Sequence, residues 1–255
     1  MSLYRDRGVV LRSYKLGEAD RIVVLLTPEH GKVRAVAKGV RRPKSKIGGR
    51  LEPLSHVELL LWGGRELDIV RQAELAEPWH FLRRDLVQLS RGMAMAEAAE
   101  QVAQEGEPAE ALYVMLVKAL RTLDEHPGPL VVASFYWKLL ALDGAGPVLG
   151  SCANCGASPP AVSLVAFDIA QGGALCRACR RGEPFSPAAH ELVSWILGGG
   201  LARALEVPAS SVTAEVAHLA TVSLEAHLEK RLRAARALEP AQLGLVPQRR
   251  KGGHL

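Results

Sequence analysis

GVVLRSYKLGEADRIVVLLTPEHGKVRAVAK, residues 8–38, decides the fold of the first third of the chain. Gly8–Tyr14 and Arg21–Thr27 are rich in Val, Leu and Ile, with Gly17-Glu18 between them, and read as two strands. Pro28-Glu29-His30-Gly31 reads as a turn in which Gly31 is free to take a positive φ. Lys32–Lys38 then alternates, with Val33, Ala35 and Ala37 on one face and Lys32, Arg34, Val36 and Lys38 on the other. Ser55–Leu61 and Leu67–Glu74, joined through Trp62-Gly63-Gly64, complete five short strands within residues 1–77. That pattern predicts a small closed β-barrel, of which the OB-fold is the commonest nucleic-acid-binding form. Pro43 and Gly48-Gly49 argue for a loop, rather than a helix, between the third and fourth strands.

This loop and the strand before it form KVRAVAKGVRRPKSKIGGR, residues 32–50, which carries Lys32, Arg34, Lys38, Arg41, Arg42, Lys44, Lys46 and Arg50 and no acid. Eight like charges in nineteen residues repel one another unless a polyanion or counter-ions lie beside them. Residues 1–77 hold 15 Lys/Arg against 10 Asp/Glu, and residues 78–255 hold 17 against 17, so the whole formal net charge of +5 belongs to the first third. A surface built only for solubility would mix both signs, so the run is read as a nucleic-acid-binding site. GVRRPKSK lacks the second glycine and the Gly-Lys-Ser/Thr ending of a phosphate-binding loop, which argues against a nucleotide pocket. Tyr14 and Trp62 could stack bases, but in a chain only 5% aromatic they are read as core or edge packing.

After Pro78 the composition turns to Ala, Leu, Glu and Arg at helical spacing. Leu82, Leu86, Leu89, Met93, Ala96 and Ala99 form one apolar stripe running to Ala103. Glu107-Pro108 opens a second helix with Leu112, Met115, Leu116, Ala119 and Leu123, and Pro127-Gly128-Pro129 precedes a third with Val132, Phe135, Tyr136, Leu139 and Leu142. Ser186-Pro187 is a helix start and Gly198-Gly199-Gly200 its end. A last helix is expected from Thr213 to Leu238. It would place Lys230, Arg231, Arg233 and Arg236 at its negative pole, as dipole partners or as a second basic patch for nucleic acid. Residues 240–255 are expected to be a disordered basic tail. The organisation predicted is an α+β multidomain protein: a barrel at 1–77, a helical domain at 78–150 and 186–239, and an inserted module at 151–185.

That module holds all four cysteines. Cys152, Cys155, Cys176 and Cys179 follow C-x2-C-x20-C-x2-C, the spacing of a four-cysteine zinc ribbon. Gly156 can supply the turn after the first pair, and Val162–Asp168 reads as a strand. Four thiolates leave no position open for water, so one structural Zn2+ per chain is expected. Zinc deaminases pair His-x-Glu with Pro-Cys-x-x-Cys. His56-Val57-Glu58 and His227-Leu228-Glu229 match the first half, but Ser151 and Leu175 precede the cysteine pairs. The other histidines, among them His30, His80, His126 and His190, have no acid or nucleophile at a telling spacing. No active site is read, and the chain is taken as a non-enzyme. No apolar run approaches the roughly 20 residues of a membrane span, and MSLYRDRGVV lacks a signal-peptide core, so a cytoplasmic protein is predicted.

The run VVLRSYKLGEADRIVVLLTPEHGKVRAVAKGVRRPKSKIGGRLEPLSHVELLLW, the closing AELAEP, the helical body and the two cysteine pairs together resemble RecO, a bacterial recombination-mediator family of DNA repair. The resemblance spans residues 1–238 and is most specific over residues 9–54. It implies an N-terminal OB-fold, a helical C-terminal domain and an inserted zinc ribbon. It further implies binding to single- and double-stranded DNA, annealing of complementary strands and, with RecR, loading of RecA onto DNA coated by single-strand-binding protein, hence association with the nucleoid during repair. The family's basic surface corresponds to Arg34, Lys38, Arg41, Arg42, Lys44 and Lys46, and its zinc ligands to Cys152, Cys155, Cys176 and Cys179. Some members lack these cysteines, so the metal is not required for the family's activity in general. Without the resemblance, an RNA-binding factor of translation or ribosome assembly would fit the same parts, because OB-folds and zinc ribbons serve RNA equally well.

Overall fold

The computed structural model describes residues 2–43, 45 and 47–234. Lys44, Lys46, Arg236 and the expected tail at 240–255 lie outside the described residues. The first five strands are β1 (Leu3–Leu16), β2 (Asp20–Thr27), β3 (Gly31–Ala37), β4 (His56–Trp62) and β5 (Asp68–Glu77). They close into a barrel in the order β1-β2-β3-β5-β4, antiparallel except between β3 and β5. This is the OB-like barrel the strand pattern predicts.

β1 starts five residues earlier than the apolar run suggests, because it serves two partners. Its first half pairs with β4, from Leu3 opposite Trp62 to Val9 opposite His56, and its second half pairs with β2 down to Leu16 opposite Asp20. A register shift between Val10 and Arg12 marks the irregularity in its pairing with β2, the kind of local disruption that bends and coils a strand. Val10, Val23, Leu25, Val33, Ala35, Ala37, Leu59, Leu61 and Val70 fill the barrel. Val9, Leu11, Val24 and Leu26 belong instead to the core of the helical part. Burial on both faces is what makes VVL and VVLL continuous apolar runs rather than alternating ones.

The β2–β3 turn is locked to the following domain. Gly31 has φ +62°, and a Cβ there would lie 2.1 Å from the Glu107 carbonyl oxygen. The Lys32 N–H donates to the Gln104 carbonyl at 2.8 Å and Ala109 N–H to that of Pro28 at 2.9 Å. Between β3 and β4 the expected loop contains one short helical turn, Gly48–Leu51, whose Leu51 is fully buried in the barrel core.

The helical part comprises α1 (Leu86–Val102), α2 (Glu110–Glu125), α3 (Val131–Leu142), α4 (Pro187–Leu197), α5 (Leu201–Leu205) and α6 (Ser211–His227). α3 lies at its centre, with Phe135, Tyr136, Trp137, Leu139 and Leu140 all buried. The single stripe predicted for α1 does not hold. Leu86 is 68% exposed, and Gly92, Ala94, Met95, Ala96, Ala98 and Ala99 are buried nearly all round. α1 packs against β1, α2 and α3, and in its N-terminal half a Cβ on Gly92 would sit 2.6 Å from Leu54 Cδ1 of the β3–β4 connection. In α2 Leu112, Leu116 and Leu123 are buried as expected, with Tyr113 and Leu120 beside them. α4 begins as read, the Ser186 hydroxyl accepting the Ala189 N–H ahead of Pro187. α5, directly after the three glycines, was not anticipated.

The last helix is shorter than predicted. α6 opens on a capping box of Ser210 and Thr213 and ends at His227, not Leu238. Glu229 takes φ +49°, the chain turns, Leu232 is fully buried, and the N–H groups of Arg233 and Ala234 are held by the Glu97 carboxylate at 3.1 and 2.7 Å. The break falls at residues 228–232, and Arg233 and Ala234 are helical again. Lys230, Arg231 and Arg233 are therefore not at the pole of a continuous helix.

Between α3 and α4, β6 (Leu164–Asp168), β7 (Gly173–Cys176) and β8 (Glu183–Pro184) form a three-stranded sheet in the order β7-β6-β8. Phe167 packs edge-on against Trp137 and Phe185, with ring centroids 5.7 and 5.5 Å apart, which ties this sheet to the helical core. No helix among the described residues is long and apolar enough to cross a membrane.

Candidate nucleic-acid interface and metal centre

The strand registers place six side chains in one row around the outside of the barrel. Tyr14 lies opposite Ile22, Ile22 opposite Val36, Val36 opposite Ile69, Ile69 opposite Trp62, and Trp62 opposite Leu3. All point away from the interior, since their neighbours Val23, Ala35, Val70 and Leu61 fill it. Tyr14 is 42% exposed, Trp62 36% and Leu3 52%. Of the reading of Tyr14 and Trp62 as core or edge packing, the core half does not hold. The narrow interior is filled by aliphatic side chains, and both aromatics fall on outward positions.

Guanidinium groups border this girdle. Arg12 lies 4.7 Å over the Tyr14 ring, and Arg71 lies 5.8 Å from the Trp62 ring centre. Arg12 and Arg34 both oppose Val24, so they flank the girdle on the side of the helical part. Exposed aromatic faces beside cations can hold stacked bases and their phosphates together.

Six of the eight predicted cations are among the described residues, and they separate by what their side chains already hold. Arg34, Lys38 and Arg42 are exposed. Arg41 donates to the carbonyls of Gly17 at 3.0 Å and Glu18 at 2.8 Å, bracing the β1–β2 turn. Arg50 donates to the Ala73 carbonyl at 2.9 Å and pairs with Glu74 at 3.1 Å. The Lys32 ammonium donates to the Glu100 carbonyl at 3.3 Å, on the seam with α1. Arg12 and Arg71 were missed by the charge count because neither lies in a basic run. The signal available was their place on strands beside outward aromatics, which the Arg12-x-Tyr14 alternation carries.

The four cysteines converge. Their Sγ atoms all lie within 4.8 Å of one another, and those of Cys155 and Cys176 are 3.8 Å apart. Metal–sulfur bonds of about 2.3 Å to a tetrahedral zinc give sulfur–sulfur edges of about 3.8 Å, so the donor set and spacing fit such an ion. Cys152 and Cys155 stand on a knuckle closed by Gly156, which has φ +76° and donates its N–H to the Cys152 carbonyl at 2.8 Å. Cys176 ends β7, and Cys179 closes the helical turn Arg177–Cys179. Backbone N–H groups, that of Cys176 first, pull the Cys152 thiol down to about 6. The Asn154 amide favours a charged Cys179, but the crowding thiols of Cys155, Cys176 and Cys152, together with burial, push it up to about 11. Sulfurs this close cannot all ionise without a cation among them.

Distance in sequence concealed four acid–histidine pairs among the described residues, one of them the exposed contact of His218 Nε2 with Glu183 at 3.6 Å. His30 Nδ1 meets Asp6 at 2.7 Å, His227 Nε2 meets Asp143 at 2.6 Å, and His56 Nδ1 lies 3.6 Å from Glu77. His56 is buried against Trp79 and bonds the Tyr113 hydroxyl at 2.6 Å. Burial lowers its pKa against the opposing pull of Glu77. It joins β4 to α2, a packing role.

With this geometry in place, comparison with known proteins is consistent across the chain. The family model described as Recombination protein O N terminal matches residues 1–79, and that described as Recombination protein O C terminal matches residues 83–236. A protein named DNA repair protein RecO from Streptomyces coelicolor strain A3(2) is 44% identical over 253 residues, covering 94% of this chain and all of the relative. Proteins of the same name from Streptomyces griseus subsp. griseus and Streptomyces avermitilis are each 42% identical, over 251 and 252 residues.

Proposed function

Because the chain belongs to the RecO family of DNA repair proteins, we propose that it acts as a recombination mediator. In this reading it binds single- and double-stranded DNA, anneals complementary strands and, with RecR, helps load RecA onto DNA coated by single-strand-binding protein, working at the nucleoid. The observation that carries the reading is the outward row from exposed Tyr14 through half-buried Ile22, Val36 and Ile69 to exposed Trp62, bordered by Arg12, Arg34 and Arg71. Bases of a single strand stack along that row and phosphates lie on Arg34 and Arg71 of its border and on Lys38 and Arg42, Arg12 being paired with Glu100. A duplex, whose bases are already stacked, uses the cations alone.

Annealing needs no catalytic group. Base pairing supplies the driving force, and the protein reduces the repulsion between two phosphate chains by neutralising them. It therefore proceeds without ATP and with little sequence preference, since phosphate contacts carry no direct base information. No catalytic residue is assigned. We assign residues 1–77 to DNA binding, 78–150 and 186–239 to a helical scaffold, and 151–185 to a ribbon in which Cys152, Cys155, Cys176 and Cys179 hold one Zn2+. The metal supplies a cross-link between the two knuckles, not chemistry on DNA.

The test is an annealing assay on complementary oligonucleotides without nucleotide, comparing wild type with a Tyr14→Ala/Trp62→Ala/Arg34→Ala variant. The wild type should accelerate pairing and the variant should not, although it remains folded. An RNA strand of matched sequence competing much better than DNA would favour the RNA-binding alternative, and failure of the wild type to anneal would overturn the mediator reading.

A further inference from the structure

The girdle does not end at Tyr14. We infer that the bound single strand continues past Arg12 into the cleft between β1 and the segment after α6, where Lys230, Arg231 and Arg233 hold its phosphates. The inference rests on the single-strand binding proposed above and extends the path from the barrel onto the helical part.

Glu100 of α1 organises the junction. Its carboxylate, almost fully buried, accepts Arg12 at 2.6 Å, and the cation that pairs with it is the one lying over Tyr14. Lys32 donates to the backbone carbonyl of the same residue, and Lys230 to the side chain of the adjacent Gln101 at 2.6 Å. Cations from β1, β3 and the C-terminal segment thus gather at one point on α1.

The cleft beside that point has a volume of about 340 Å3, and Arg12, Glu97, Glu100, Lys230, Arg231 and Arg233 lie along it. With Arg12 set against Glu100, three cations, Lys230, Arg231 and Arg233, remain there against Glu97, and both carboxylates are occupied. Glu100 is taken by Arg12, and both oxygens of Glu97 by the N–H groups of Arg233 and Ala234. Neither is left to repel a phosphate at full strength. The segment is also held in place: Leu232 is fully buried and its N–H donates to Glu225 at 2.7 Å. Arg231 and Arg233, on either side of it, are exposed and form no ion pair among the described residues. A fixed backbone with two unengaged guanidinium groups, reached from an aromatic through its stacked arginine, suits a phosphate chain already lying on the barrel.

Strand length tests this. A single OB barrel occupies about 4–16 nucleotides, so an oligonucleotide of about 8 should fit the barrel and one of about 30 should reach the cleft. In Arg231→Gln/Arg233→Gln protein the short strand should bind as in wild type. The long strand should bind about three- to tenfold more weakly, with a salt slope flatter by about 1.4 for two lost phosphate contacts. Arg→Lys replacements should retain most of the long-strand affinity. Unchanged affinity for the long strand, equal loss on both lengths in a protein with wild-type melting temperature, or loss only of binding to a polyglutamate competitor would each overturn the inference. Failure of the wild type to bind either length would instead sink the single-strand reading on which it rests.

Discussion

The carboxylate of Asp124, on α2, accepts the backbone N–H of Leu82 at 2.6 Å. It also accepts those of Phe81 at 2.8 Å and His80 at 3.0 Å, so one side chain fixes the connection between barrel and helices. Burial opposes the charge, yet the N–H groups of Leu82, Phe81 and His80 win and hold its pKa below the usual aspartate range. Asp124→Ala should cost about 2–3 kcal/mol by leaving these donors unpaired. The sign with pH follows from the depressed folded-state pKa. The contribution is complete above the unfolded value of about 3.9 and is lost as pH falls through the folded one. Urea denaturation between pH 7 and pH 2 should therefore show wild type and Asp124→Asn converging at the acid end. Parallel curves throughout would contradict this.

Gly31→Ala should destabilise by about 2 kcal/mol or more. The substitution combines a left-handed backbone with a Cβ driven into the Glu107 carbonyl, and backbone cannot swing aside as a flexible side chain can. A thermal melt within a degree of wild type would show that the α1–α2 connection yields easily.

These two sites mark where the sequence is readable and where it is not. The barrel follows from local facts: alternation in Lys32–Lys38, glycine at a turn, and apolar runs of strand length. The cysteine cluster follows from spacing alone. Asp124 and Leu82, by contrast, are 42 residues apart, and nothing local to either announces the other. The girdle needed the register of five strands before Tyr14, Ile22, Val36, Ile69, Trp62 and Leu3 became neighbours. Charge counting likewise cannot distinguish Arg34, which faces solvent, from Arg41 and Arg50, whose guanidinium groups already donate to backbone carbonyls. The end of α6 was misjudged because helical propensity is local, whereas the burial of Leu232 is tertiary.

Tyr14→Ala and Trp62→Ala should each weaken single-strand binding by about 1–3 kcal/mol, the usual worth of a stacked base. Stability should shift by no more than about 0.5 kcal/mol, since both side chains face outward. Fluorescence titration against single-stranded and duplex DNA checks both parts. Equal losses on the two ligands would place the aromatics off the strand path.

Arg41→Ala and Arg34→Ala should separate the two kinds of cation. Arg34→Ala should flatten the single-strand salt slope by about 0.7 with stability unchanged. Arg41→Ala should lower the melting temperature, because it removes two hydrogen bonds that tie the β3–β4 connection to the β1–β2 turn. A salt slope altered only by Arg41→Ala would reverse their roles.

Elemental analysis should find about one zinc per chain, and Cys155→Ser or prolonged chelation should lower thermal stability while leaving short-strand binding intact. Structural zinc sites in peptides bind with apparent free energies of roughly 10–16 kcal/mol, so the loss on stripping should be large and reversed by added zinc. Metal-free protein that melts like the wild type would remove zinc from the fold.

The barrel is not a portable part. Val9, Leu11, Val24 and Leu26 face outward from it and are buried only because α1 and its neighbours cover them. Cut away from the helices, residues 1–77 would present an oily stripe on one flank and the row from Tyr14 to Trp62 on another. Such a fragment would clump with its own kind.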